Sequence, residues 1–253
     1  MNTTVNISTV LAARDFDRLP AATAVLTAHD LDRLLADAAR GAATDETLPG
    51  ICGVMLHTDT YNGTPVLVAT ATDRFMLVQA HVPLDAGTFE GRLMLTNAQV
   101  TQVRAMLRPL TRRRGGRDDQ VSVSTDTFTG RIAAAEGTAF SFVNYCEWFP
   151  NITKVTDKYR DTPRTDQPVT LNPKLLARAA ALGRRGEYVR VEVLAGEQAP
   201  VRITIGESGV ARLWLYLMPV RTQADAAGTA VWNVPTAPVF ELPPVTPWQR
   251  EAA

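Results

Sequence analysis

Apolar and polar positions follow one another along this chain in three successive blocks of the same form. Each block opens on a short apolar run, passes into a stretch of helical period, and ends in several runs of strand character. The first block spans Thr23 to Leu84. TAVLT reads as a strand, and Thr27 caps a helix with Asp30 three residues on to meet its free amides. Leu31, Leu34, Leu35 and Ala38 share one face of that helix, with Arg33, Asp37 and Arg40 on the other; Gly41 ends it. ICGVMLHTDT, TPVLVATATD and FMLVQAHVPL then read as strands, the first two joined by the hairpin signal Asn62-Gly63.

The second block runs from Gly91 to Pro150. GRLMLT is a strand, and Thr96 or Asn97 caps a helix whose apolar face holds Val100, Val103, Leu107 and Leu110. Pro109 predicts a kink or stop near its end. TRRRGGRDD is a loop, and QVSVSTDTF, GRIAAAEG and TAFSFVNY are strands. The third block runs from Pro168 to Val220. PVTL reads as a strand, Asn172 as a cap and Pro173 as the first helical residue. Leu175, Leu176, Ala179 and Leu182 form the apolar side of this helix, and Lys174, Arg178 and Arg185 the exposed one; YVRVEVLAG, PVRITIGESG and ARLWLYLMPV follow as strands. The link VTDKYRDTPRTDQ reads as polar and extended. Residues 1–20 have little periodicity, and the stretch from Arg221 to Ala253 contains five prolines and no helical or strand period.

Composition narrows the function. The 253 residues carry 26 basic and 26 acidic side chains, and 45% of them are hydrophobic, as in an ordinary globular protein. Two cysteines, Cys52 and Cys146, make no disulfide framework, and His29, His57 and His81 are too scattered for a metal site. No apolar run reaches the length of a membrane span and no signal peptide is evident, so a reducing, cytoplasmic setting is expected. No phosphate loop, dinucleotide fingerprint, metalloprotease motif or nucleophile elbow is present. Neither catalysis nor a cofactor is therefore expected.

Charge is neutral overall but unevenly placed. Only three basic residues are lysines, and the stretch from Gly91 to Arg117 holds seven arginines and no acid. Arg33 and Arg40, Arg104 and Arg108, and Lys174 and Arg178 each lie opposite the apolar stripe of a different helix. A solvated helix face accounts for any one pair. Recurrence in three blocks also fits a surface that contacts phosphates without reading bases. Arg112, Arg113, Arg114 and Arg117 form either a phosphate-contacting loop or a solvated turn. Leu77, Pro150, Val155, Met218 and Val220 fall at strand ends or connections, where such residues build either core or a peptide pocket.

Four segments resemble the bacterial DNA polymerase III β subunit, the sliding clamp. They are ATDRFML (Ala71 to Leu77), GRLMLTNAQVTQVRAML, FSFVNYCEWFPNITKV, and LNPKLLARAAALGRRGEYVRVEVL with the later VRITIGESG and LWLYLMPVR, in family order from about Thr23 to Arg221. The resemblance implies an α+β, DNA-clamp fold. Repeated β-α-βββ units, two per domain, put helices on an inner face and antiparallel sheets on the other. Domains join edge to edge into a ring around duplex DNA. It also implies that Leu77, Pro150, Val155, Met218, Pro219 and Val220, with Lys154 beside them, receive a short peptide of DNA polymerase or clamp loader. Arg33, Arg40, Arg104, Arg108, Lys174 and Arg178 would face double-stranded DNA, joined by Arg112, Arg113, Arg114 and Arg185.

On this reading residues 1–22 are an extension, 23–155 a complete domain of two units, 156–167 a connection, 168–221 half a domain, and 222–253 a tail. The family's first domain and half of its last are missing, as expected of a short, divergent, phage-type member. Four chains of three units would supply the twelve units of a ring. A homo-oligomeric ring and a non-ring module that binds clamp-binding peptides both remain open.

Overall fold

A computed structural model describes residues 23–112, 119–125, 128–145, 149–196, 199–207, 210–220, 222–224 and 230–232. The first block folds as β1 (Thr23–Thr27), α1 (Ala28–Ala39), β2 (Gly53–Tyr61), β3 (Thr64–Thr72) and β4 (Met76–Pro83). Thr27 Oγ1 accepts the Asp30 N–H at 3.0 Å, which starts α1. Asn62 and Gly63 both take positive φ, 50° and 79°, as a tight two-residue hairpin turn requires.

The second block gives β5 (Leu93–Thr96), α2 (Asn97–Arg112), β6 (Gln120–Thr125), β7 (Thr129–Ala134) and β8 (Ala139–Val143). Thr96 and Gln99 cap α2 reciprocally. The Gln99 N–H donates to Thr96 Oγ1 at 3.3 Å and the Thr96 N–H to Gln99 Oε1 at 2.8 Å. The helix does not stop at Pro109 but continues to Arg112. Pro109 and Ala105, the residue whose carbonyl loses a partner, are both exposed, so water can satisfy that carbonyl.

The link that reads as extended contains a helix, α3 (Thr153–Arg160). Ile152, Thr156 and Tyr159 fall at i, i+4 and i+7 and turn inward, and the threonine hides this stripe in the sequence. The third block supplies α4 (Pro173–Ala180), β9 (Tyr188–Val193), β10 (Val201–Glu207) and β11 (Val210–Leu217). Asn172 Oδ1 accepts the Lys174 N–H at 2.9 Å and caps α4. PVTL, expected as a strand, belongs to no sheet among the described residues. Beyond the third block, the stretch that lacks strand period contains two short antiparallel strands, β12 (Thr222–Ala224) and β13 (Ala230–Trp232).

The units exchange their leading strands. β1 pairs with β6 and β5 pairs with β2, giving a four-stranded sheet β1-β6-β7-β8 and a sheet β5-β2-β3-β4. The latter continues across an antiparallel β4–β11 seam into β10 and β9, making seven strands. One face carries Leu56, Leu67, Val78, Leu95, Leu215 and Ile203 toward the helices, in a single core with Leu31, Leu34 and Leu35 of α1, Val103 and Leu107 of α2, and Leu175 and Ala179 of α4. α1, α2 and α4 thus all lie on one side of the extended sheet, while Met55, Leu77, Met94 and Tyr216 point to the other.

Candidate functional site

Two surfaces carry the candidate residues: the helix side and the opposite face of the β4–β11 seam. On the helix side, local pairing has already consumed part of the expected positive charge. Arg104 Nε donates to Asp32 Oδ1 at 2.9 Å, linking α2 to α1. Arg178 donates to Asp73 Oδ2 at 2.6 Å and to the Arg40 carbonyl at 2.7 Å. Arg40 in turn donates to the Ala181 carbonyl at 2.8 Å, so the C-terminal ends of α1 and α4 are stitched together. Arg33 is half-buried. Arg108 and Arg112 on α2, Lys174 on α4 and Arg185 after it are exposed, and none makes an ion pair among the described residues. Arg113, Arg114 and Arg117 lie outside the described residues.

Asp37, expected on the exposed side of α1, is buried at the centre of an ion network. Its Oδ2 accepts from Arg184 at 2.7 Å and from Arg212, which also forks onto Glu187 and donates to the Leu182 carbonyl at 3.0 Å. Burial pushes the Asp37 carboxyl above its ordinary range, and Arg212, Arg184 and Arg33 offset this only in part. The hydrogen bonds from Arg212 hold Glu187 below its ordinary range. Arg212 reaches the helix side because β11 carries one extra residue there. Leu213 opposes Ile205 but Ala211 opposes Gly206, so Arg212 is bulged out of register.

On the opposite face, Leu77 and Met218 meet at the seam. Leu77 pairs with Tyr216, and the Met218 N–H donates to the Phe75 carbonyl at 2.8 Å. Leu77 is 6% exposed, packed with Met55, Met94, Tyr216, and Phe149 and Ile152 from the connecting segment. Met218, Pro219, Val220 and Pro150 remain half-exposed around it. The Val220 N–H points away, to the Thr170 carbonyl at 2.8 Å. The side chains of Lys154 and Val155 lie outside the described residues. Sequence reasoning missed Met55, Met94, Phe149, Ile152 and Tyr216. The odd-residue alternation of β2 and the aromatic-Ile spacing before α3 were the signals available.

Farther along this face, His81 stacks on Trp214, centroids 4.6 Å apart and planes 17° apart, with Tyr61 at the edge of both. His57 lies two strands away, across Val68. Burial lowers the pKa of both histidines. Among the described residues, no three His, Cys, Asp or Glu side chains gather as a metal site would require, and no helix is long and apolar enough to cross a membrane.

No family model and no curated sequence matches the chain. Solved structures do. The DNA polymerase III β subunit of Thermotoga maritima superposes with a TM-score of 0.59 at 13% identity, over 84% of this chain and 70% of that one. The sliding clamp of Bacillus subtilis gives 0.59 at 15% identity, over 83% and 68%. The clamp of Bartonella birtlesii, solved bound to griselimycin, gives 0.59 at 17% identity, over 80% and 68%. With helices gathered on one side of exchanged antiparallel sheets, this chain has the fold of the bacterial DNA polymerase III β sliding clamps.

Proposed function

We propose that the chain is a sliding-clamp-like processivity factor. It encircles duplex DNA with its helix side and tethers a DNA polymerase or clamp loader at the β4–β11 seam. The observation that carries this reading is the common side of α1, α2 and α4, with Arg108, Arg112, Lys174 and Arg185 exposed and unpaired there or next to it among the described residues. Charges of this kind attract phosphates without fixing a base sequence, which suits a protein that must slide. Arg104 and Arg178, already neutralised by Asp32 and Asp73, chiefly set the relative positions of the helices.

The tether is Met218, Pro219, Val220 and Pro150, half-exposed around the buried Leu77. A short apolar peptide would rest on Met218, whose flexible thioether adapts to different side chains. The test loads the full chain onto a circular plasmid, with its loader where one is required, and compares retention before and after linearisation. A ring stays on the circle and runs off the linear form. Equal loss from both would leave the second reading, a peptide-binding module with an open shape. Met218→Asp abolishes peptide capture on either reading, and unchanged capture removes the tether assignment.

A further inference from the structure

The third unit is half of a domain, and the first domain shows what completes one. There, each unit lends the strand before its helix to the other unit's sheet. β1 lies along the first strand after α2, from Thr27 opposite Gln120 to Thr23 opposite Ser124. β5 lies along the first strand after α1, from Thr96 opposite Gly53 to Leu93 opposite Leu56. The corresponding strand of the third unit is β9. Among the described residues nothing pairs with its outer edge from Tyr188 to Glu192. The chain's own Pro163–Thr165 covers only the far end, through the Thr165 N–H to the Val193 carbonyl at 2.9 Å and the Ala195 N–H to the Pro163 carbonyl at 2.8 Å.

The unit's own leading strand is equally unused. Residues 168–172 precede α4 as β1 precedes α1 and β5 precedes α2. Val169 and Leu171 stand at the same offsets from the helix start as the inward pairs Ala24 and Leu26, and Leu93 and Leu95. Even the backing contact repeats. The Val25 carbonyl accepts the Asp85 N–H at 2.8 Å just past β4, and the Thr170 carbonyl accepts the Val220 N–H at 2.8 Å just past β11. One edge of 168–172 is therefore held by its own unit, and among the described residues nothing pairs with the other, as β1 would stand without β6.

Both open edges leave apolar side chains in water. Val189 and Val191 are 49% and 53% exposed, whereas their counterparts Val121 and Val123 are fully buried. Leu176, the fourth residue of α4, is 44% exposed, whereas Leu31 and Val100, fourth in α1 and α2, are 0% and 3% exposed. What would cover them is a strand followed by an amphipathic helix, and the unit itself offers one of each.

We propose that the partner is a second copy of this chain. The third units of two copies complete one domain, residues 168–172 of each pairing antiparallel with β9 of the other and the two α4 helices packing side by side. The register of the first domain transfers directly. Asn172 meets Tyr188, Leu171 meets Val189, Thr170 meets Arg190, and Val169 meets Val191 of the second copy. The arrangement is two-fold and uses both edges at once, so it closes at two copies. It rests on the repeat geometry of the fold and not on DNA binding.

Sedimentation equilibrium of the full chain tests it, with Val191→Asp, Val189→Asp and, as a control on β8, the last strand of the four-stranded sheet, Val143→Asp. Val143 is 52% exposed at the end of β8. The wild-type mass is twice that of the chain or an even multiple of it. Val191→Asp and Val189→Asp remove the two-fold contact and bring the mass down at least twofold, with unchanged far-ultraviolet circular dichroism because both positions are already solvated. Val143→Asp leaves at least the dimer intact. A monomeric wild type overturns the proposal, as does a Val191→Asp protein that keeps the wild-type mass. So does a monomer that dimerises only after residues 222–253 are removed, since the tail would then be the occupant. DNA retention is not read here, so the outcome leaves the processivity reading to its own test.

Discussion

The Arg212 guanidinium on β11 donates to the Asp37 carboxylate on α1, although 175 residues of chain separate them. This contact bolts the third unit to the first on the helix side, while the β4–β11 ladder joins them through the sheet. Arg212 also satisfies Glu187 and the Leu182 carbonyl. Arg212→Ala leaves two carboxylates and a carbonyl short of a donor, and we expect a loss of about 3–5 kcal/mol in unfolding free energy. Urea denaturation of the full chain measures it. A loss under about 1 kcal/mol would show that Arg184 and water take over the network.

Close backbone approach makes Gly53 irreplaceable at the start of β2. A Cβ there would sit 2.2 Å from the Leu95 carbonyl oxygen, a backbone atom that cannot swing aside. Gly53→Ala must push β5 away from β2. The expected cost is about 1–3 kcal/mol, read in the same denaturation experiment. A neutral substitution would mean that β5 tolerates displacement.

The stability of the fold should fall on mild acidification, through His57 and His81. Both have pKa values lowered by burial, so below about pH 6.5 the unfolded chain binds protons that the folded chain refuses. Stability is therefore complete above the unfolded pKa and declines as the pH drops toward the folded values. Each histidine contributes at most about 1.4 kcal/mol per pH unit. Thermal melts between pH 7.5 and 5.5 check this, and His57→Gln with His81→Gln flattens the slope. An unchanged slope in the double variant would assign the effect to other groups.

Phosphate binding should show as salt dependence. Arg108→Ala and Lys174→Ala each lower the slope of log affinity against log salt by about 0.9 for every phosphate that the protein no longer neutralises. Neither changes the fold, because both side chains are exposed. Arg104→Ala instead breaks the pair with Asp32 and registers mainly as reduced stability. Equal slopes for wild type, Arg108→Ala and Lys174→Ala would take the helix side out of DNA binding.

Much of this architecture was legible in the residues themselves. Thr27 and Asn172 cap the helices assigned to them, Asn62-Gly63 turns the first hairpin, and the apolar stripes of α1 and α2 are the buried ones. What escaped depends on partners distant in sequence. Asp37 reads as a surface residue until Arg212 and Arg184 arrive from another unit. α3 is short, and only its seat on Met55, Leu77 and Tyr216 reveals which residues it buries. PVTL has the pattern of a strand, yet a strand exists only where a neighbour accepts its hydrogen bonds. The candidate cations were found as residues but not as free charges, because Asp32 and Asp73 cannot be matched to Arg104 and Arg178 without the fold.

The single surplus residue in β11 fixes more than one side chain's direction. Deleting Arg212 would make the β10–β11 ladder continuous, with Leu213 still opposite Ile205 and Ala211 still opposite Gly206, so the strand would keep its pairing and lose only the bulge. No guanidinium from β11 would then reach the helix side, leaving Asp37 with Arg184 alone and Glu187 without the Arg212 fork. The dovetail between the two halves of the molecule is in that sense written as a count of residues.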